Sequence, residues 1–486
     1  MRFGELISKI KYRFGTFFAL DGLDGEVDRV TTDPYRADAR SLMICVRTAV
    51  LDGHDFATVA YERGCRLFLA ERSLALGEKA SVLLVEDAAS LAGELAAACY
   101  GYPATRMTVV GVTGTAGKSS VIEIAASILR QSGRKVGTLT TDGVSHGDRV
   151  VAFGNIVPDA AEVQRILSDM EADGVTVAVL EFSAYMLAQK AYLSIPFAAL
   201  LLTNLQENGP EAHRHGGADQ YRARKASLFE KGASFYVLPA NFVGFVPDDD
   251  STHVLRFGDG SDFCGEMRAV LTCEHGYCTD AELMLGDGVK RRITLPVLGD
   301  FALENALAAA ALCRAIGATA EEIAKGLASA TPGGRLACLA AFRGRYIYED
   351  TAYTAEALTL ALQTLRTVTT GKLTVLLGSV GGRTRARRAP LGKAATMWAD
   401  LAYFTADNAD FEDPAAICAE MAAEADPDRY VVLPDPVYAI KRAVLEMRPG
   451  DTLLIAGKGG ELHQLVGGER REFLVRELVR RALLLL

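Results

Sequence analysis

The segment GVTGTAGKSS at residues 111–120 constrains the fold of this chain more than any other. An apolar, β-type run (MTVVGV) leads into it, and a helical stretch (SSVIEIAASILRQSG) follows it. A glycine-rich turn between a strand and a helix lets backbone N–H groups surround phosphate oxygens, and the helix N-terminus adds partial positive charge. Lys118 is then predicted to bridge two phosphates and Ser119 to hold Mg²⁺, although Val112 stands where the general pattern has glycine. The residues predicted to contact a nucleotide here are Gly114, Thr115, Gly117, Lys118, Ser119 and Ser120.

Length and charge narrow the function. The chain has 486 residues, half of them apolar, which predicts about three domains with ordinary hydrophobic cores. Its 52 basic and 61 acidic residues give a net charge of −9, which argues against non-specific nucleic-acid binding. The first residues lack the apolar core of a secretory signal, and the final ALLLL run is far below the roughly 20 residues of a membrane span. We therefore expect a soluble cytoplasmic protein without nucleic-acid or membrane partners, and we expect a monomer.

The nine cysteines are scattered along the chain without a C-x-x-C pair. The tightest group, Cys264, Cys273 and Cys278, lacks the spacing of a zinc site. We therefore expect reduced, mostly buried thiols that neither bind metal nor form disulfides.

Hydrophobic runs and turn signals divide the sequence into three regions. In residues 1–104, short strands such as SLMICV and RLFLAE alternate with helical stretches. In residues 105–332, apolar runs such as VTVAVLEF and FAALLLTNL predict a parallel sheet covered on both faces, and residues 234–297 indicate a small antiparallel sheet. In residues 333–486, further strand candidates alternate with helices, which is typical of a Rossmann-like domain. The predicted fold class is α/β.

The Thr-Gly-Thr-x-Gly-Lys-Ser form of the phosphate loop resembles the Mur ligase family, most of all its UDP-N-acetylmuramoyl-tripeptide synthetases. Other matching segments follow in the family order over nearly the whole chain. They are Asp52-Gly53-His54, Glu181-Phe182-Ser183, Thr203-Asn204-Leu205, Tyr221 to Lys225, Asn305, Arg335, Asp350, Asp407-Asn408 and Gly457 to Glu461. The resemblance implies a uridine-nucleotide domain (1–104), an ATP-binding domain (105–332) and an amino-acid-binding domain (333–486).

The resemblance also implies an ATP-dependent amide ligase. The γ-phosphate of ATP would pass to a substrate carboxylate, and an amine would then attack the acyl phosphate. Two anions meet in the first step, so neutralisation by a lysine and by Mg²⁺ matters most. The implied residues are Lys118, Glu181 and Lys225 for catalysis; Ser119, Glu181, Lys225 and His213 for metal; Asn305, Arg335 and Asp350 for ATP; and Asn155, Ser183, Asp407, Asn408, Asp410, Gly457 and Glu461 for substrate.

Lys225 falls where the family carries a carbamylated lysine. An ammonium beside Mg²⁺ would repel it, whereas a lysine carbamate offers two oxygens and a negative charge. The metal-side histidine of the family is either His213 or His215, and both are equally well explained as surface residues of a loop.

Departures from the family pattern concentrate at substrate positions. The N-T-T stretch reads NIV at residues 155–157, and the G-K-G-H-E stretch reads GKGGE at residues 457–461. Likewise E-V-S-S-H reads EFSAY at 181–185, and D-Y-A-H-T-P reads DTAYTA at 350–355. A buried site that loses a hydrogen-bonding partner typically loses about 1–3 kcal/mol per group. The residues expected to contact ATP match the family pattern better than those expected to contact the substrate.

Three functions therefore compete at this point. The first is a ligase that acts on a UDP-muramoyl-peptide in peptidoglycan synthesis. The second is the same chemistry on a different acyl substrate, and the third is a nucleotide-binding protein without ligation. Retention of Lys118, Ser119, Glu181, Lys225 and Asn305 speaks against the third.

One residue expected to contact the incoming amino acid differs from the family pattern. Family members that use diaminopimelate have an arginine in D-N-P-R for the distal carboxylate, and Asp410 stands at that position. If Asp410 faces the substrate, the preferred amino acid is L-lysine, L-ornithine or a neutral one. The alternative is that Asp410, Glu412 and Asp413 lie in a solvent-exposed loop.

Overall fold

The computed structural model describes residues 1–9, 17–18, 24–48, 51–152, 157–206, 212, 215–246, 252–273, 276–331, 333, 335–382 and 385–486. The architecture is α/β, with parallel sheets flanked by helices, as the sequence predicts. The chain separates into two compact units, unit 1 with Met1–Phe263 and Ala308–Ile323, and unit 2 with Cys264–Leu307 and Ala324–Leu486.

Unit 1 begins with a small sheet of short strands. These are β1 (Phe17–Phe18), β2 (Arg29–Thr31), β3 (Ser41–Ile44), β4 (Leu67–Ala70) and β5 (Ser81–Leu84). They lie in the order β1-β5-β4-β3-β2, with β1 antiparallel and the others parallel. The helices of this region are α1 (Phe3–Ser8), α2 (Ala57–Glu62) and α3 (Ala88–Cys99). Strands and helices alternate here as the sequence predicts.

The second sheet of unit 1 carries the phosphate loop. Its strands are β6 (Thr108–Thr113), β7 (Val136–Leu139), β8 (Gly143–His146), β9 (Arg149–Ala152), β10 (Val177–Glu181), β11 (Phe197–Leu202), β12 (Ala233–Pro239) and β13 (Val254–Phe257). The helices among them are α4 (Lys118–Gln131), α5 (Ala160–Ala172), α6 (Ala184–Ala188) and α7 (Ala218–Glu230). The strand order is β13-β12-β11-β6-β10-β7-β8-β9. Because β10, β6 and β11 are parallel neighbours, the residues that end them meet at one edge of the sheet.

The antiparallel sheet is smaller than the sequence predicts. Strands β12 and β13, within the predicted antiparallel stretch, instead extend the parallel sheet beside β11. For β12 the physical reason is helix α7, which lies between β11 and β12 in the chain and supplies the crossover that a parallel neighbour needs. The antiparallel sheet consists of β14 (Gly265–Cys273), β15 (Gly276–Met284) and β16 (Lys290–Leu295), and it belongs to unit 2.

The remaining sheet of unit 2 is Rossmann-like, as the sequence predicts. After α8 (Asp300–Ala315) and α9 (Ala320–Leu327) come β17 (Ala337–Phe342), β18 (Arg345–Asp350), β19 (Leu373–Ser379), β20 (Leu401–Ala406), β21 (Tyr430–Val432) and β22 (Thr452–Ala456). The order is β17-β18-β22-β19-β20-β21, all parallel except β17. One face packs against α10 (Ala355–Arg366), α11 (Arg388–Trp398) and α12 (Pro414–Ala422), and the other against α13 (Pro436–Leu445) and α14 (Val475–Leu483). A hairpin, β23 (His463–Val466) and β24 (Glu469–Glu472), precedes α14.

One expectation about the cysteines is wrong. Cys273, the last residue of β14, and Cys278, near the start of β15, form a disulfide. Hairpin pairing brings two cysteines of adjacent strands together, which the spacing rules for metal sites do not consider. The other seven cysteines are reduced, and four of them are fully buried, as expected.

The described helices include none that combines the length and the apolar character of a membrane span.

Candidate active site

The phosphate loop leaves the carboxyl end of β6 and closes against the chain that follows β11. Gly114 has a φ of +145°, and a Cβ there would lie 2.0 Å from Thr203 Oγ1, so only glycine fits. Thr203 Oγ1 donates to the carbonyl of Ala116 (2.6 Å), and Asn204 Oδ1 accepts the Ala116 N–H (3.0 Å). Gly117, with a φ of +80°, then precedes the first turn of α4. The loop is therefore held in shape by side chains at the same sheet edge.

Three side chains of the predicted site meet at this loop. Ser119 Oγ donates to Glu181 Oε2 over 2.8 Å, and Lys118 Nζ lies 3.9 Å from Glu181 Oε1. Lys118 also donates to the carbonyl of Thr115 (3.0 Å). Glu181 is only 2% exposed and additionally accepts the N–H of Thr141 (3.2 Å). The structure thus brings together Lys118, Ser119 and Glu181, while Ser120 lies buried on the first turn of α4.

The oxygens of Ser119 and Glu181 suit a magnesium ion. Mg²⁺ binds hard oxygen ligands, usually one or two from protein, with water and substrate phosphates completing the shell. The described residues contain no group of three or more His, Cys, Asp or Glu side chains placed to hold a metal.

Lys225 lies on α7 and reaches the strand that enters the phosphate loop. Its side chain is almost fully buried, with the residue 1% exposed, and Nζ donates to Thr113 Oγ1 over 3.0 Å. Its ammonium also lies 5.3 Å from the ring centre of Tyr221, whose hydroxyl donates to Thr115 Oγ1 over 3.1 Å. Lys225 is therefore a buried lysine and does not lie on the solvated surface of the helix.

Other residues predicted for this side fall in different places. Asn155 and His213 lie outside the described residues. Ser183 caps α6, accepting the Met186 N–H over 3.3 Å. His215 is buried rather than on the surface of a loop, with its ring centre 4.6 Å from that of Tyr185.

Unit 2 gathers the amino-acid-side residues around a buried lysine. Lys458 Nζ lies 3.0 Å from Asp407 Oδ1, Asn408 Oδ1 and Glu461 Oε2. Asn408 Nδ2 donates to Glu461 Oε2 over 2.9 Å. Gly457 has a φ of +99°, and a Cβ there would lie 3.4 Å from Asp407 Oδ2. The structure therefore joins Asp407, Asn408, Gly457 and Glu461 in one cluster.

Asp410 takes part in a different arrangement. Its Oδ1 accepts the N–H of Gly468 (2.7 Å), and its backbone bonds to Leu465 and Gly467 of the β23–β24 hairpin. Asp410 has a φ of +54°, which an aspartate tolerates better than most residues. The carboxylate thus stabilises the turn of the hairpin.

The neighbouring acids also have structural partners. Glu412 accepts from Arg388 Nη1 (2.9 Å) and from the Gly382 N–H (2.7 Å). Asp413 caps α12, accepting the Ala415 N–H over 3.0 Å.

The residues predicted for ATP in unit 2 lie on separate elements. Asp350 ends β18, and its carboxylate accepts the N–H groups of Leu336 (2.7 Å) and Ala352 (2.8 Å). Burial raises the pKa of the Asp350 carboxyl, against the charge of Arg335, which lowers it. Asn305 lies largely buried on α8.

Comparisons with known proteins agree over most of the chain. Residues 112–313 match the Mur ligase middle domain, and residues 334–459 match the Mur ligase glutamate ligase domain. The UDP-N-acetylmuramoyl-L-alanyl-D-glutamate--2,6-diaminopimelate ligase of Geobacillus kaustophilus (strain HTA426) is 31% identical over 484 residues, covering 96% of each chain.

The chain belongs to the Mur ligase family. The enzyme of the same name from Geobacillus thermodenitrificans (strain NG80-2) is 30% identical over 488 residues, 97% of each chain. A solved structure of a ligase with this name has a TM-score of 0.66 and 22% identity, covering 99% of this chain and 98% of that chain. Membership confirms the predicted enzyme class, an ATP-dependent ligase with ATP and Mg²⁺ as cofactors, and the predicted Mur ligase architecture.

The sequence analysis did not identify two residues that hold predicted site residues of this Mur ligase in place. Lys458 was visible as the lysine of the GKGGE stretch, but the motif gives no sign that its ammonium is the centre of a cluster. Thr113 ends β6, donates to the carbonyl of Phe182 (2.7 Å) and accepts from Lys225. Its position directly before Gly114 was the available signal.

Proposed function

We propose that this Mur ligase adds an amino acid, as the third residue of the stem peptide, to a UDP-N-acetylmuramoyl-peptide during peptidoglycan precursor synthesis. The contact of Ser119 with Glu181 beside Lys118 carries the proposal, because these side chains can bind a nucleoside triphosphate together with its magnesium ion. The named ligases that align over 96% and 97% of the chain support the substrate class. The proposal includes action as a monomer in the cytoplasm, the compartment in which soluble precursors are assembled.

The first step is transfer of a phosphoryl group. A carboxylate oxygen of the muramoyl-peptide attacks the γ-phosphorus of ATP, the bond to the β-phosphate oxygen breaks, and ADP leaves with that electron pair. Lys118 faces the developing negative charge, and the N–H groups at the start of α4 bind phosphate oxygens. When bound, Mg²⁺ neutralises phosphate charge, with Ser119 and Glu181 as its protein ligands.

The second step forms the amide bond. The neutral amino nitrogen of the incoming amino acid attacks the acyl carbon, and the bond between that carbon and the phosphate oxygen breaks. Inorganic phosphate leaves with the electron pair, and the nitrogen passes a proton to the phosphate or to water. Of the two carboxylates that contact Lys458, the more accessible is that of Glu461, whose side chain is 24% exposed while that of Asp407 is 9% exposed. A carboxylate in this position attracts the ammonium of a free amino acid.

Phosphate release tests the proposed function. The wild-type chain with ATP and Mg²⁺ is expected to release phosphate only when a UDP-muramoyl-peptide and an amino acid are both present. The measurement is a coupled phosphate assay against a panel of UDP-muramoyl intermediates and amino acids. Binding of ATP without acceleration by any pair would contradict ligation and favour a nucleotide-binding scaffold.

Amino-acid selectivity is expected to disfavour diaminopimelate. The segment from Asp407 to Asp413 contains no arginine, and Asp410 would repel a distal carboxylate. We therefore expect a higher kcat/KM for L-lysine, L-ornithine or a neutral amino acid than for diaminopimelate. The measurement is a side-by-side comparison of these specificity constants.

Asp410→Asn is the matched control for this selectivity. An asparagine retains an oxygen that accepts the Gly468 N–H, so the hairpin turn is kept while the charge is removed. Discrimination against diaminopimelate should then weaken. A wild-type preference for diaminopimelate would show that Asp410 serves only the hairpin.

A further inference from the structure

Lys458 is a buried lysine whose donors are all used. The residue is 7% exposed. An ammonium has three N–H groups. They donate to Asn408 Oδ1 (3.0 Å), Glu461 Oε2 (3.0 Å) and the carbonyl of His463 (2.8 Å). Asp407 Oδ1, also at 3.0 Å, adds an ion pair. One side chain therefore ties the segment after β20 to the segment after β22 and to the start of β23.

The hydrogen bonds of Lys458 fix one oxygen of Glu461. Asn408 Nδ2 donates to the same Oε2 over 2.9 Å, so two donors on one oxygen define its position. The other oxygen, Oε1, lies 3.3 Å from His463 Nε2. Because the Glu461 side chain is 24% exposed and that of Lys458 is 6% exposed, the carboxylate is accessible and the cation behind it is not.

The charges of the cluster also favour binding of the ammonium group of an amino acid. Asp407 and Glu461 bring two negative charges and Lys458 one positive charge, which leaves the cluster with an excess negative charge. The ammonium of an incoming amino acid would neutralise that excess. Without Lys458 the two carboxylates repel each other, and the geometry around Glu461 is lost.

We propose that Lys458 is a positioning residue for the incoming amino acid. It holds Glu461 in place, both directly and through Asn408, and acts through Glu461 without touching the substrate. The inference rests on the proposed function, because it concerns the amino-acid side of that reaction.

The test is Lys458→Met, a change that keeps an unbranched side chain only one heavy atom shorter and removes the cation. The KM for the amino acid is expected to rise about tenfold to a hundredfold, the size of effect expected when a hydrogen bond to a charged group is lost, while the KM for ATP stays the same. Lys441→Met, an exposed lysine on α13, is the matched control and should change neither KM. Lys458→Arg keeps the charge but alters the hydrogen-bond geometry, so a smaller rise in the same KM is expected.

A double variant separates positioning from general damage to the fold. If Lys458 acts through Glu461, then Lys458→Met combined with Glu461→Gln should have the amino-acid KM of Glu461→Gln alone. The inference is wrong if the effects of Lys458→Met and Glu461→Gln multiply in the double variant. It is also wrong if the methionine and arginine variants of Lys458 change the KM for the amino acid and the KM for ATP equally. If Lys458→Met leaves the KM for the amino acid unchanged and the wild type is active, only this inference is wrong. If the wild type is inactive, the proposed function is wrong as well.

Discussion

Lys118→Ala is expected to lower ATP turnover by about a hundredfold or more while the protein stays folded. The Lys118 ammonium lies at the first turn of α4, 3.9 Å from Glu181, and donates to the carbonyl of Thr115. No other side chain of the loop carries a positive charge. Alanine favours a helix at least as well as lysine, so the fold should not suffer. Phosphate release and thermal unfolding measure the two expectations.

The control for Lys118→Ala is Lys79→Ala, an exposed lysine of the same unit. That variant should keep wild-type turnover. If Lys118→Ala keeps wild-type phosphate release with both substrates present, the Lys118 ammonium does not act on the reacting phosphates.

The sequence alone predicts the parts of the fold that depend on local pattern. The runs that become β6, β10 and β11 are apolar and bounded by turns, since both faces of a parallel sheet are covered. The phosphate loop is equally local, because its glycines and the helix behind it are consecutive in the chain. Motif order along the sequence then identifies Glu181 as a partner of Ser119, which the structure places at 2.8 Å.

What the sequence misses depends on contacts between distant segments. Strand β12 follows a crossover helix and pairs with β11, although its alternating pattern suggests an antiparallel neighbour. Asp410 has the sequence position of a substrate residue, but its bond to Gly468 links residues 58 apart. Lys458 likewise contacts Asn408 across 50 residues, and no local signal shows that its three donors are satisfied together. Packing and register decide such contacts, and neither is visible in a motif.

Lys225→Ala is expected to lower ATP turnover by about a hundredfold or more, for a reason different from that of Lys118→Ala. Lys225 lies 3.0 Å from Thr113 Oγ1, directly before the phosphate loop, and Val112 pairs in register with Glu181. We predict that the Lys225 amine combines with carbon dioxide, forming an N–C bond and losing a proton. The product carries two oxygens and a negative charge, the type of group that Mg²⁺ binds.

Two measurements decide the prediction for Lys225. Wild-type protein equilibrated with ¹³C-bicarbonate should show a carbamate signal that Lys225→Ala lacks. Acetate, a short carboxylate that fills the space left by the side chain, should partly restore turnover to Lys225→Ala, whereas an equal concentration of chloride should not. Lys118→Ala should gain nothing from acetate, because its missing group is a cation. A fully active wild type without a carbamate signal would show that Lys225 works as an ammonium, held by Thr113 and by the face of Tyr221.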